Sequence, residues 1–527
     1  MQQRFPPAGG PYKLTANFTS IFQETTMTTT IGYFIAGQVE PGTGDRSGPV
    51  YNPSTGEEIA RCAYASRPTL DRAVAVATEA GKKWGRASHA ARQAVIFKLR
   101  ELMIANTDLL AEVIGREHGK TIADAKGEIG RAIEGIEFAV NAPHVTKGEF
   151  ATNVGGDIDV FSIRVPIGVV GAITPFNFPI MVPAVMMTMA VSVGNAIVWK
   201  PSEKVPSTAL IFARLWKEAG LPDGVFNVVQ GDKEMVDGIL EHPGIAAVSF
   251  VGSTAVGEYV YQKGTSHNKR VAAFTGGKNH MVVMPDADLE SAASAFVSAG
   301  FGSASQRCMA VSLLLPVGQD TAERLRELVV QKTKALHIGP YNDPKADFGA
   351  VISLQSKQAV ERAIENCIQQ GGELVLDGRG LRVPGHENGY YVGPTLFDRV
   401  TTNMEMYQQE IFGPVRGIMR PVSFDEALAI TNAHEYGNGS VIFTRDGKAA
   451  HRFMYEIESG MIGVNVPVPL PSAFFNFGGL RRSKFGDSHL YGPDAARFYT
   501  KIKTVSQRWP EPDQQAGPVS LAFNPKG

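Results

Sequence analysis

The sequence predicts an α/β protein built from two doubly wound lobes and a small β appendage. Three observations carry that reading. Strand and helix patterns alternate from Gly168 to Ser253. They alternate again from Gly276 to about Leu470. Such alternation produces parallel sheets with helices on both faces. Finally, segment 149–165 and the end of the chain carry alternating runs that fit neither lobe.

The elements follow in order. Residues 1–27 are rich in Pro, Gly, Gln and Thr and hold no continuous apolar stretch. They are expected to be a disordered extension, or a start placed upstream of a working chain that begins near Met27. Arg4 and Lys13 against a lone Glu24 give this stretch a faint likeness to a transit peptide. From Thr69 to Ala142, apolar residues recur at three- and four-residue spacing, which predicts helices. "EFATNVGGDIDVFSIRVPIG" reads as a hairpin about Gly155 and Gly156. "GVVGAIT", "NAIVWK", "GVFNVVQG" and "AAVSFVGS" read as strands of the first lobe. Between them "VPAVMMTMAVSV" and "PSTALIFARLWKEAG" read as helices, the second closed by Gly220. "MVVM", "VSLLLPV" and "GSVIFT" are strands of the second lobe, and "ARFYTKIKTVSQRW" reads as one terminal strand. The hairpin and the terminal strand leave exposed edges, which a neighbouring subunit is expected to cover.

Bulk properties narrow the function. Net charge is −1 over 527 residues, so no global field favours nucleic acid or an anionic membrane. The chain holds no apolar run of about eighteen residues, the length that a membrane span needs. The three cysteines, Cys62, Cys308 and Cys367, are far apart and form no CxxC pair. Neither a metal site nor a disulfide framework is expected, and a reducing cytoplasm fits ahead of a mitochondrial matrix.

Four short motifs carry chemistry. "FVGSTAVGE" puts Gly252 and Gly257 between a strand and a helix, where backbone N–H groups can face a phosphate. "VWKPSE" ends a strand with Lys200 and follows it with Glu203, a pair able to bind the hydroxyls of a ribose. "TPFNFPIMVP" sets Asn177 on a rigid apolar turn, the kind of amide that can donate to a developing oxyanion. "GFGSASQRCMAVSLLLPV" places Cys308 where a small polar loop meets an apolar element. Arg307 and helix-start dipoles there are expected to lower the thiol pKa. Each motif alone has a plain reading: a βα turn, a surface pair, a turn asparagine, a buried small hydrophobe.

Together with "GGKN" and "EIFGPV", these motifs resemble the aldehyde dehydrogenase superfamily from about Thr28 to Trp509. The resemblance implies an aldehyde dehydrogenase-like fold. Residues 28–148 and 166–275 would form an NAD-binding domain and 276–488 a catalytic domain. Segments 149–165 and 489–509 would form an oligomerisation flap, with 510–527 a loose tail and a homotetramer the expected assembly. It also implies Cys308 as nucleophile and Asn177 as oxyanion donor. Phe176, Lys200, Glu203, Ser253 and Glu410 would lie along NAD, with Thr174, Lys204 and Thr275 beside them.

One departure sorts the chain within the superfamily. Hydrolytic members carry a glutamate in "ELGGK"; this chain reads "FTGGK", with Phe274 at that position. Phenylalanine takes no proton, and water, with a pKa of about 15.7, is a poor nucleophile without a base. A thiol with a pKa of about 8.5 needs less help, so coenzyme A is the expected acceptor. "GGKNH", "PFNFPIMVP", "QRCMA" and "FYTKIKT" together resemble the CoA-acylating methylmalonate-semialdehyde dehydrogenase branch. Gly277 and the region "PSAFFNFGGLRRSKFGD" depart from the branch's usual form. Arg307 and Arg131 would then grip the carboxylate of a small semialdehyde. For Arg131 a plain ion pair with Glu128 or Glu134 is the competing role. The expected products are an acyl-CoA, CO2 and NADH. The alternative is a hydrolytic NAD-dependent aldehyde dehydrogenase of another specificity.

Overall fold

The computed structural model describes residues 29–42 and 46–509. The expectations for residues 1–27 and for the tail 510–527 fall outside the described residues. Two large sheets carry the molecule. The first has eight strands, of which five are parallel: Arg270–Phe274, Ile245–Val251, Val169–Ile173, Ala196–Lys200 and Phe226–Val228. Nearly all residues of these strands are buried, which is why they read as continuous apolar runs rather than alternating ones. Helices Arg67–Trp84, Met181–Ser192 and Ser207–Glu218 pack on this lobe. Met181–Ser192 is buried on every side.

The strand order of this sheet reverses between Val169–Ile173 and Ile245–Val251. Ligands bind in doubly wound sheets outside the carboxyl ends of strands at such a reversal. Thr174, Phe176 and Asn177 follow one of these ends, and Ser253 follows the other.

The second sheet has seven strands, with Val311–Pro316 and Asn279–Val283 at its centre. Its contribution to the site comes from the opposite ends of its strands. Cys308 precedes Val311–Pro316, Glu410 precedes Val415–Ile418 and Asn438 precedes Gly439–Phe443. The carboxyl ends of one sheet thus meet the amino ends of the other.

The appendage is a three-stranded antiparallel sheet of Phe150–Ala151, Asp159–Pro166 and Thr500–Gln507. The hairpin forms as its alternation predicts. The terminal segment differs from expectation: Gly492–Phe498 is a helix and only Thr500–Gln507 is a strand. Pro493 and Asp494 in the first turn favour a helix start there, and clean alternation begins only after them. Five short strands between Thr29 and Ala63 escape the periodicity reading altogether. Two of them, Tyr33–Ile35 and Gln38–Glu40, extend the first sheet.

Candidate active site

Cys308 lies in a turn leading into a strand, not at a helix start. The loop before it is strained. Ser303, Ala304 and Ser305 all have positive φ, at 56°, 49° and 63°, and each such non-glycine residue costs about 1–2 kcal/mol. Gln306 anchors the loop: its Oε1 accepts from Ile352 N–H at 3.0 Å, and its own N–H donates to the Ser303 carbonyl at 2.9 Å. The Cys308 carbonyl accepts from Asn279 Nδ2 and from Asn438 Nδ2, both at 2.9 Å. Strain at a nucleophile persists only when the surroundings over-determine the backbone, and these bonds do so.

A cavity of about 150 Å³ opens on the thiol, lined among others by Asp124, Glu128, Arg131, Phe178, Arg307 and Phe477. Asn177 is buried nearby, with its Nδ2 donating to the Gln306 carbonyl at 3.1 Å. The structure therefore brings Cys308, Asn177, Arg131 and Arg307 together.

Arg307 lowers the thiol pKa as expected, but it is the smallest of the influences on it. Its guanidinium pairs with Asp124, 183 positions distant in sequence, while still lining the cavity with Cys308. Gly302 makes the approach possible, since a Cβ there would stand 2.6 Å from Arg307 Nη1. Burial, reinforced by Glu410, pushes the Cys308 thiol up to about 12. The backbone N–H groups of Cys308 and Met309 pull the other way and outrank Arg307 in that role. Arg131 pairs with Glu134 at 2.7 Å, one of the two partners anticipated, while still lining the cavity.

Glu128 has a different partner. Its Oε2 accepts from Lys120 Nζ at 2.8 Å, and its Oε1 accepts from the N–H groups of Ile180 and Met181. Sequence reasoning missed Asp124 and Lys120, and weighed Glu128 only as a partner for Arg131. The spacing of 124, 128 and 131 places those three on one face of helix Ile122–Ala139, and that signal was available.

The residues expected along a dinucleotide lie near the strand ends of the first sheet, with Glu410 contributed by the second. Lys200 Nζ donates to Glu203 at 3.0 Å, and Thr174 N–H donates to the Lys200 carbonyl. Thr174 Oγ1 accepts from Trp199 Nε1. Lys204 Nζ stands 5.3 Å from the centre of the Phe176 ring, and Phe176 and Glu410 line a cleft of about 450 Å³. Ser253 is the N-cap of helix Thr254–Ser266 and makes no side-chain cap bond of its own. Thr275 Oγ1 is committed to the Arg482 carbonyl at 2.5 Å. Glu410 accepts from Gly277 N–H at 3.1 Å, and burial pushes its carboxyl up to about 7. Gly276 lies between Glu410 and Thr254, where a Cβ would meet Glu410 Oε2 at 2.5 Å and Thr254 Oγ1 at 2.8 Å. Two carboxylates, Glu203 and Glu410, and a helix start at Ser253 are the kinds of group that suit two riboses joined by a pyrophosphate.

Phe274 occupies the end of the strand Arg270–Phe274 and is buried. Its ring packs edge-on against Phe477 at 5.8 Å and tilts against His489 at 6.3 Å. Among the described residues no group of three or more His, Cys, Asp or Glu could hold a metal ion. No described helix is long and apolar enough to cross a membrane.

Comparisons with known proteins agree with this geometry. The aldehyde dehydrogenase family profile matches residues 40–505. A malonate-semialdehyde dehydrogenase of Pseudomonas aeruginosa is 49% identical over 482 residues, which span 92% of this chain and 97% of that protein. The mitochondrial acylating methylmalonate-semialdehyde dehydrogenase of Arabidopsis thaliana is 43% identical, over 87% of this chain and 76% of its own length. A Sinorhizobium meliloti structure assigned as a methylmalonate-semialdehyde dehydrogenase complexed with NAD superposes with a TM-score of 0.92 at 47% identity, covering 93% of this chain and 100% of that one.

Proposed function

This chain belongs to the aldehyde dehydrogenase family, and from that premise we propose that it oxidises malonate or methylmalonate semialdehyde to acetyl-CoA or propanoyl-CoA. Cys308, once its thiol proton has passed to solvent, adds as the thiolate to the aldehyde carbon, while Asn177 Nδ2 and the Cys308 backbone N–H stabilise the resulting oxyanion. NAD would supply the hydride acceptor, with Lys200, Glu203 and Glu410 among the residues that would hold it. The acyl group remains on Cys308 as a thioester. Arg131 and Arg307 bind the substrate carboxylate at the far side of the cavity.

One observation carries the thiol-acceptor reading: both carboxylates lining the Cys308 cavity are tied to a cation, Asp124 through Oδ1 and Glu128 through Oε2. Asp124 pairs with Arg307, and Glu128 is held by Lys120 and two backbone N–H groups. At the position where hydrolytic relatives carry their base stands Phe274. A thiol ionises far more readily than water, so coenzyme A takes the acyl group. The β-carboxylate leaves as CO2: the C–C bond breaks, its electrons pass into an enolate stabilised by the thioester carbonyl, and that carbon is then protonated.

The flap completes the assembly. Phe150, Ile163, Ile502 and Trp509 are exposed on it, and in this reading further copies of the chain cover them, as a tetramer. Three free cysteines suit the cytoplasm. The test follows NADH and CO2 with and without coenzyme A on malonate semialdehyde, methylmalonate semialdehyde and propanal. Turnover at an equal rate without coenzyme A would overturn the proposal.

A further inference from the structure

An oxyanion donor works only if its N–H is aimed before the charge develops, so whatever fixes the Asn177 turn matters as much as the amide. Lys120 and Glu128 fix it. Their side chains are 0% and 1% exposed. Lys120 Nζ donates to Glu128 Oε2 at 2.8 Å and to the Asn177 carbonyl at 2.6 Å, and it lies 4.6 Å from the centre of the Phe178 ring. Glu128 Oε1 accepts from Ile180 N–H at 2.8 Å and Met181 N–H at 3.1 Å. Those are the first donors of helix Met181–Ser192, whose N-cap residue Ile180 makes no side-chain cap bond.

Each end of the turn 177–181 is therefore tied to one member of a buried ion pair. With its carbonyl held by Lys120, Asn177 has little freedom about its backbone. Its amide gives one N–H to the Gln306 carbonyl, and the second N–H of that NH2 group remains for a substrate oxygen. We infer that Lys120 and Glu128 are positioning residues for the oxyanion donor, acting through the turn Asn177–Met181.

Two arguments favour this over a role in stability. A buried ion pair contributes little net stability, and an apolar pair of similar volume often does as well. The placement is also specific to the site. Helix Ile122–Ala139 carries Glu128 between Asp124, which holds Arg307, and Arg131. One rigid element thus registers both ends of the substrate, its carboxylate through Arg131 and Arg307 and its aldehyde oxygen through Asn177. A displacement of about 1 Å at such a group can cost roughly 100-fold in rate.

The inference rests on the proposed role of Asn177, and a double-mutant cycle separates the two. Glu128→Gln keeps an acceptor for Ile180 and Met181 but loses the ion pair. It is expected to lower the rate of the first NADH burst by about 10- to 100-fold. Both propanal and methylmalonate semialdehyde should be affected alike, with KM for each within about threefold. The rate of Cys308 alkylation by iodoacetamide, which needs no oxyanion donor, should stay unchanged. Combined with Asn177→Ala, it should add no further loss, because it acts through the same amide. Additive losses, or alkylation slowed as much as the burst, would overturn the inference. Should Glu128→Gln fail to fold, Lys120→Met with Glu128→Gln replaces the pair by neutral side chains and is read in the same way. If Asn177→Ala itself leaves the burst intact, the oxyanion role falls and this inference falls with it.

Discussion

The two arginines of the cavity are held by unequal partners, and the inequality sets the size of a substrate effect. Arg131 and Glu134 are 40% and 48% exposed, three residues apart on one helix. Such exposed pairs contribute about 0.2–1 kcal/mol. Arg307 and Asp124 are 29% and 17% exposed, so their pair is better shielded from water. A substrate carboxylate therefore draws Arg131 from Glu134 at small cost and joins Arg307 without displacing Asp124. Glu134→Gln removes the competitor, and KM for methylmalonate semialdehyde should fall by about 1.4- to 5-fold. Arg131→Ala removes a charge-assisted hydrogen bond worth about 1.5–3 kcal/mol, so the same KM should rise by roughly 10- to 150-fold. Propanal carries no carboxylate, and its KM should move by less than about twofold in both variants. Steady-state NADH formation at saturating NAD and coenzyme A reads all four numbers. If propanal shifts as far as the semialdehyde, or if Glu134→Gln raises the semialdehyde KM, the clamp does not exist.

Three further outcomes follow from the same geometry. Phe274→Glu should give hydrolysis without coenzyme A only toward alkaline pH, because burial at this site keeps a new carboxyl protonated; a rate without coenzyme A that is already full at pH 6 contradicts this. With the Cys308 thiol pushed up to about 12, alkylation of the free enzyme should climb about tenfold per pH unit from pH 7 to 9; a plateau below pH 8 would show a thiolate that the burial argument excludes. Burial pushes Glu410 up to about 7, while Gly277 N–H, Lys278 and Arg416 oppose the rise. If its carboxylate accepts from a ribose hydroxyl, NAD should bind more weakly as pH falls from 8 to 6, and Glu410→Gln should flatten that profile in a calorimetric titration.

The chemistry at this site is legible in the sequence where it depends on residue type at short range. Cys308 at a loop end, Asn177 between two phenylalanines, and Lys200 three residues before Glu203 each declare a capability, and the fold brings Asn177 to the loop of Cys308 and pairs Lys200 with Glu203. Continuous apolar runs such as 169–173 declare strands buried on both faces for the same local reason. Pairing and protonation are different in kind, because they depend on what the fold brings from far away. Arg307 stands next to Cys308 in the chain, and adjacency suggested that it activates the thiol; it does lower the thiol pKa, but burial and Glu410 outweigh it, and Asp124 claims the guanidinium. Phe274 declares only that one base is missing. Whether another could serve depends on Asp124, Glu128 and Glu410, whose partners were invisible until Lys120, the 177–181 turn and Gly277 were in place. That dependence gives the thiol-acceptor reading its force. A single substitution at 274 could be compensated by a neighbouring carboxylate. Here Asp124 is held by a cation proposed to grip the substrate, Glu128 by the lysine proposed to aim the oxyanion donor, and Glu410 accepts from Gly277 N–H and is proposed to hold a ribose. Freeing any of them to activate water would dismantle a function that the reaction needs before any acyl group is there to release.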